Sequence, residues 1–142
     1  GPVVNQFMQT SAPGVFACGN VVHVNDLVDN VSTESALAGR SAAKYAMGTL
    51  PSAERTVVCE PGRNVRYLCP QEIQVTGAAQ SVSLYFRVLQ PELDVTLTAR
   101  CGEQVIARQK EFRVNPGEMN HITVETENLA GGVVTVEVQK EG

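Results

Sequence analysis

Tryptophan is absent, and aromatic residues make up only 5% of the 142-residue chain. Sugar-binding and protein-binding surfaces favour aromatic anchors, so a recognition surface of that kind has little to build on. Basic charge is also scarce: 11 Lys and Arg stand against 15 Asp and Glu, giving a net charge of -4. Nucleic acid and anionic membrane surfaces attract clustered cations, and neither is expected as a partner. No apolar run approaches the roughly 18 residues of a membrane span, and the first residues lack a basic stretch followed by an apolar one. A cytoplasmic location is expected. Histidines number only two, and the four cysteines (Cys18, Cys59, Cys69 and Cys101) form no C-x-x-C pair. Cys59, Cys69 and His121 match no common zinc spacing, so no metal site is expected. Reduced thiols are the simpler reading, with a Cys59 to Cys69 bridge in a secreted domain as the alternative. There is also no G-x-G-x-x-G after a strand, the fingerprint of a dinucleotide-binding core.

What is present divides into two halves with different periods. An apolar share of 43% and a charged share of 18% are those of a folded, globular chain. From Val31 to Met47 the Ala-rich run "VSTESALAGRSAAKYAM" predicts a helix of about four turns, with Asn30 or Ser32 as its cap. The triplet Asn30-Val31-Ser32 also fits a glycosylation acceptor but is read as this helix start. Gly48 should end the helix, and Pro51 should prevent its resumption. Beyond it the pattern alternates. "SVSLYFRVL", "LDVTLTARC", "QVIARQKEFRV", "HITVET" and "VVTVEVQ" predict strands. Shorter pieces at Thr56 to Cys59, Val65 to Cys69 and Ile73 to Val75 add up to three more. Turn residues such as Pro61-Gly62 and Asn115-Pro116-Gly117 separate them. The expected fold is mainly β: an antiparallel, immunoglobulin-like β-sandwich over 56–142, a linker over 49–55 and a separate segment over 1–48.

That first segment pairs a hairpin-like start (Val3 to Met8, then Val15 to Cys18) with one helix, too little apolar surface to make a domain. Its sequence explains why. "TSAPGVFACGN", Thr10 to Asn20, followed by a helix containing Ala36, Gly39, Ala42 and Ala43, resembles the last FAD-contacting segment of the pyridine nucleotide-disulfide oxidoreductase superfamily. There a T-S-x-P-G-[VI]-[FY]-A-x-G-D run precedes an A-x-x-G-x-x-A-A helix. The longer string "FACGNVVHVNDLVDNVSTESALAGRSAA" is similar to a bacterial group of NAD(FAD)-dependent dehydrogenases with a β-rich C-terminal extension. The tail pieces "VRYLCPQEI", "LYFRV" and "NPGEMNHITV" look like that extension.

The resemblance implies cofactor-contacting roles for Gly19, Asn20 and Val21 at the elbow. It implies the same for Asn30, Val31 and Ser32 at the helix N-terminus, where free N–H groups would face a reduced flavin. Asn20 stands where the superfamily usually has Asp; an amide keeps an acceptor oxygen and removes a charge. The expectation is therefore a C-terminal part of a FAD-dependent NAD(P)H oxidoreductase, with no catalytic residue of its own. Its partner would be the remainder of the flavoprotein, and the β domain could join copies into a homo-oligomer. The isolated chain is not expected to bind FAD or to be active. The alternative is a stand-alone β-sandwich binding or interaction module. His23, Asp26 and Asp29 are loop candidates for acid-base or capping work. Cys18 is read as a small buried residue, Ser41 as a helix residue rather than a nucleophile, and the strand arginines Arg63, Arg66, Arg87, Arg100, Arg108 and Arg113 as solvated edge protection.

Overall fold

The computed structural model describes residues 1–22 and 28–140, with the backbone alone at 20 and 28–31. One α-helix, α1 (Val28–Ala46), precedes eight strands. These are β1 (Arg55–Pro61), β2 (Val65–Cys69), β3 (Glu72–Val75), β4 (Ser81–Val88), β5 (Glu92–Cys101), β6 (Gln104–Val114), β7 (Asn120–Glu125) and β8 (Val133–Lys140). The protein is mainly β. Every strand predicted after Gly48 is present within a residue or two, because Val-, Ile- and Thr-rich alternation matches a sheet with one buried face. Among the described residues no helix is long and apolar enough to cross a membrane.

The strands form two sheets, one of five in the order β3-β1-β8-β5-β6 and one of three in the order β2-β4-β7. Pairing is antiparallel throughout except between β1 and β8, which run parallel with Val58 opposite Val133. That pair departs from the all-antiparallel expectation. Both sheets feed one core: Val95, Leu97, Ala99, Val134, Val136 and Val138 join Val82, Leu84, Phe86, Ile122 and Val124 in a single buried cluster. The alternation of β4 leaves Val82, Leu84, Phe86 and Val88 buried, so Ser81, Ser83 and Tyr85 lie on the opposite face.

The arginines do more than guard edges. The turn after β1 carries Arg63, whose guanidinium grips Glu92 bidentately at 3.0 and 2.7 Å and reaches the Val138 carbonyl at 2.5 Å. Asn64, in the left-handed region at φ 57, donates to Glu92 Oε1 at 2.8 Å and accepts from the Gln90 amide at 2.8 Å. Gly62 has no room for a side chain, since a Cβ there would sit 2.9 Å from Thr135 Cγ2 and 3.0 Å from the Val136 carbonyl oxygen. Arg100 pairs with Glu137 at 2.6 Å, and Arg55 donates to the Leu129 and Gly131 carbonyls.

The helix ends as predicted. Gly48 has φ +72, its N–H bonds to Tyr45 O at 3.0 Å, and the Thr49 N–H bonds to Lys44 O at 2.8 Å. These two bonds close a Schellman cap. The helix begins at Val28, three residues before the predicted Val31. Residues 3–22 are not a regular hairpin. Two single bridges, Val4 to Thr10 and Gln9 to Phe16, replace it. Asn5 is the cause: it is buried, and its Oδ1 accepts from the Phe7 and Gln9 amides at 2.9 and 3.2 Å, drawing the chain into a side-chain-nucleated turn.

This first segment docks on the edge of β3. The Val4 carbonyl accepts from the Gln71 and Glu72 amides at 3.1 and 3.3 Å. Gln6 then acts as a substitute strand: its carboxamide accepts from Gln74 N at 2.7 Å and donates to Gln74 O at 2.6 Å. An otherwise open sheet edge is thereby covered.

Candidate functional site

The Pro13-Gly14 turn is a type II turn in which Gly14 has φ +82 and the Val15 N–H returns to Ala12 O at 3.1 Å. Its ring neighbour is Tyr45, whose Cε1 lies 2.9 Å from where a Gly14 Cβ would be. Phe16 meets the same tyrosine edge to face, with centroids 6.2 Å apart. The chain beyond is half-buried rather than a buried strand, and Val15 is exposed. It then closes into a single 3-10 turn over Gly19–Val21. So the back half of α1 holds the Pro-Gly turn, and the elbow packs on the front half.

Gly19 has φ +75, a conformation that requires glycine here. It is buried, and its N–H donates to Glu34 Oε2 at 3.1 Å. Next to this bond, Cys18 Sγ lies 3.6 Å from Ser35 Oγ. The elbow and α1 are thus brought together. The Gly19 amide is already held by a carboxylate, so glycine serves the shape of the turn rather than donating outward. Val21 is 60% exposed, and Ser32 is exposed. Ser32 follows Val28 by four residues, so its N–H lies within the helical ladder and not among the free amides of the first turn. Asn30 and Val31 are placed by backbone only in the first turns of α1, and the Asn20 side chain lies outside the described residues. His23 and Asp26 lie outside them as well, and Asp29 is placed by its helical backbone alone.

A second cluster of buried residues, Val4, Met8, Val22, Ala38 and Cys69, joins the first segment to the β body. Beside it opens a cleft of about 520 Å³ between α1, residues 6–8 and the outer face of β4. Phe7, Met8 and Leu37 form one wall, Cys69 and Pro70 the floor, and Ser81, Ser83 and Tyr85 the other wall. Tyr85 is backed by the His121 ring at 5.7 Å, and Ser83 Oγ lies 3.1 Å from Thr123 Oγ1. Glu34 is the one charged side chain among the described lining residues, and it is 9% exposed.

Neither Glu34 nor Met8 stands out in the sequence. Glu34, Ala38 and Ser41 make the buried stripe of α1, and two of those three are polar, so an apolar-face count does not mark it. Met8 has φ 63, unusual for a long side chain, and only the Asn5 turn explains it. Burial pushes the Cys69 thiol up to about 12, with the Glu34 and Cys59 charges adding to the effect. Burial, helped by Glu72, does the same at Cys59. All four cysteines are free thiols; Cys59 and Cys101 sit in the main core, whereas Cys69 faces the first segment. Thiols buried in this way are inert packing groups, whereas Cys18 is half-buried rather than the small buried residue expected. Among the described residues there is no cluster of three metal-ligating side chains. No family model, no curated protein and no solved structure matches this chain.

Proposed function

We propose that the chain is the C-terminal part of a FAD-dependent NAD(P)H oxidoreductase, supplying the last flavin-contacting segment and an accessory immunoglobulin-like β-sandwich. One observation carries this reading: the "TSAPGVFACGN" elbow lies against a helix whose small-residue stripe, Ala36, Gly39 and Ala43, is exposed. Among the described residues, nothing beyond the helix's own backbone and the chain neighbours lies within 4 Å of a Cβ built at Gly39. Small residues on an exposed surface make sense when a flat ligand or another backbone is to approach closely. The exposed Val15, Val21, Tyr45 and Met47 extend the uncovered area of the same segment.

The residues present suit a flavin in part. Asn20 and Val21 would meet the ribityl side and the first turn of α1, with Asn30, would meet the ring system. Gly19 would keep its bond to Glu34 and fix the elbow. Bound FAD would accept hydride from NAD(P)H; this chain's own share is to shape and orient one wall of that pocket.

The test is flavin binding along the reading frame. The 142 residues alone should show no saturable quenching of FAD fluorescence at micromolar protein. A chain extended upstream through a strand, a G-x-G-x-x-G turn and a helix should purify with FAD and lose it on Asn20→Leu. An upstream frame without a nucleotide-binding core, or an extended chain free of flavin, overturns the proposal.

A further inference from the structure

The cleft between α1 and β4 is independent of any flavin, since all its described walls belong to this chain. We infer that this cleft is a binding site for an uncharged small molecule, an aromatic body that carries a carbonyl or similar hydrogen-bond acceptor. Its volume, about 520 Å³, lies within the roughly 300–1,000 Å³ of small-molecule sites. Phe7, Met8 and Cys69, in its wall and floor, are buried, so a ligand meets apolar surface already shielded from water. The Met8 thioether and the Tyr85 ring, on opposite walls, both suit a flat aromatic body.

The polar groups of the lining divide into those already engaged and those left open. Ser81 Oγ donates to the Glu125 carboxylate, 2.8 Å from each of its oxygens. Ser83 Oγ and Thr123 Oγ1 share a hydrogen at 3.1 Å. The Gln6 carboxamide is taken up by the Gln74 main chain, at 2.7 Å through its oxygen and 2.6 Å through its nitrogen. Two groups remain. The Tyr85 ring is set by its tilted contact with His121, and its hydroxyl has no partner among the described residues. The Gln80 side-chain oxygen accepts from Gln6 Nε2 at 3.3 Å, which leaves Gln80 Nε2 as the open end of that carboxamide. A phenol hydroxyl and an amide NH₂ both donate, so the ligand that matches them presents acceptors.

Charge sets ions aside. No Lys, Arg or His lies among the described lining residues, so a phosphate or carboxylate finds no counter-charge there. Glu34, the one charged side chain among them, is engaged by the Gly19 amide at 3.1 Å. An ammonium group would leave water with no counter-ion reserved for it, and burying a charge in that way is costly. A neutral acceptor incurs no such cost and still satisfies Tyr85 and Gln80.

Three probes with one phenylethyl body separate charge from shape: the ketone 4-phenylbutan-2-one, 3-phenylpropanoate and 3-phenylpropylamine, titrated at pH 7 into the isotope-labelled 142-residue chain. Amide NMR shifts should be saturable for the ketone, centred on residues 80–85 and on Leu37, with at least tenfold weaker binding of both ions. Tyr85→Phe removes the hydroxyl and keeps the ring, and should weaken the ketone about two- to tenfold, the worth of one hydrogen bond, with little change in melting temperature. Ser83→Tyr, which fills the cleft from the sheet's outer face without touching the core, should abolish the shifts. Tyr85→Phe keeps the question decidable if Ser83→Tyr fails to fold. Equal or tighter binding of either ion, an unchanged affinity in Tyr85→Phe, shifts that survive Ser83→Tyr, or no saturable shift with the ketone would overturn the inference.

Discussion

At the scale of single residues, the β body contains one conspicuous unmet need. Thr98 lies in the middle of β5 with no exposure, and its Oγ1 has no hydrogen-bond partner among the described residues. In the register Thr98 stands opposite Arg108 and Glu137, and Glu137 Oε1 accepts from Arg100 Nε at 2.6 Å and Gln139 Nε2 at 3.0 Å. A buried hydroxyl without a partner costs roughly 1–3 kcal/mol of desolvation. Val has the same shape and an equal liking for a strand. Thr98→Val should therefore raise stability by about 1 kcal/mol, seen as a higher urea midpoint with an unchanged slope. An unchanged or lower midpoint would show that the hydroxyl does contribute in the folded state.

At the scale of elements, the turn after β1 and the start of β5 are joined by one carboxylate. Glu92 takes both arms of Arg63 and the Asn64 amide, with Lys140 3.6 Å away, although Arg63 itself is half exposed. The hydrogen bond from Arg63 is the main cause holding the Glu92 carboxyl below its usual range, opposed by burial and helped by the charges of Arg63 and Lys140. A depressed carboxyl stabilises the fold fully above its unfolded pKa and loses that contribution as pH falls through the folded value. Glu92→Gln should thus lower the urea midpoint most at neutral pH. The gap from the native chain should close on acidification below the ordinary carboxylate range. A gap independent of pH would assign the effect to shape alone.

The same elements show what the sequence could and could not disclose. Strands were legible because each alternates against one core, and Gly48 was legible because a Schellman cap demands its φ. The Pro13-Gly14 turn was legible for the same reason. The first segment is not the hairpin that its alternation predicts: "VVNQFM" alternates well enough, but Asn5 competes for the backbone amides with its own side chain. Arg63 looked like any strand-edge arginine, since its partner Glu92 is far along the chain and only the fold brings them together. The bond from the Gly19 amide to Glu34 was not legible, because a glutamate in an Ala-rich helix usually faces water.

At the scale of the whole molecule, the two buried clusters are unequal and their boundaries differ. The main cluster runs from Val57 to Val138 and takes no member from residues 1–48. The smaller one, Val4, Met8, Val22, Ala38 and Cys69, has a single member from the β body. Cooperative stability should therefore reside in residues 55–140, with the first segment attached through Cys69, the Gln6 to Gln74 pair and the Val4 carbonyl. A chain starting at residue 49 should still unfold in one transition, with stability lower by about 1–3 kcal/mol, the range of a few lost buried contacts. Its β3 edge would then present unpaired backbone groups beside an uncovered Cys69, which favours pairing with a second copy. Gel filtration should show a concentration-dependent dimer that the intact chain does not form. Loss of the cooperative transition would instead make the first segment part of the core and remove the reason for treating it as one wall of a larger pocket.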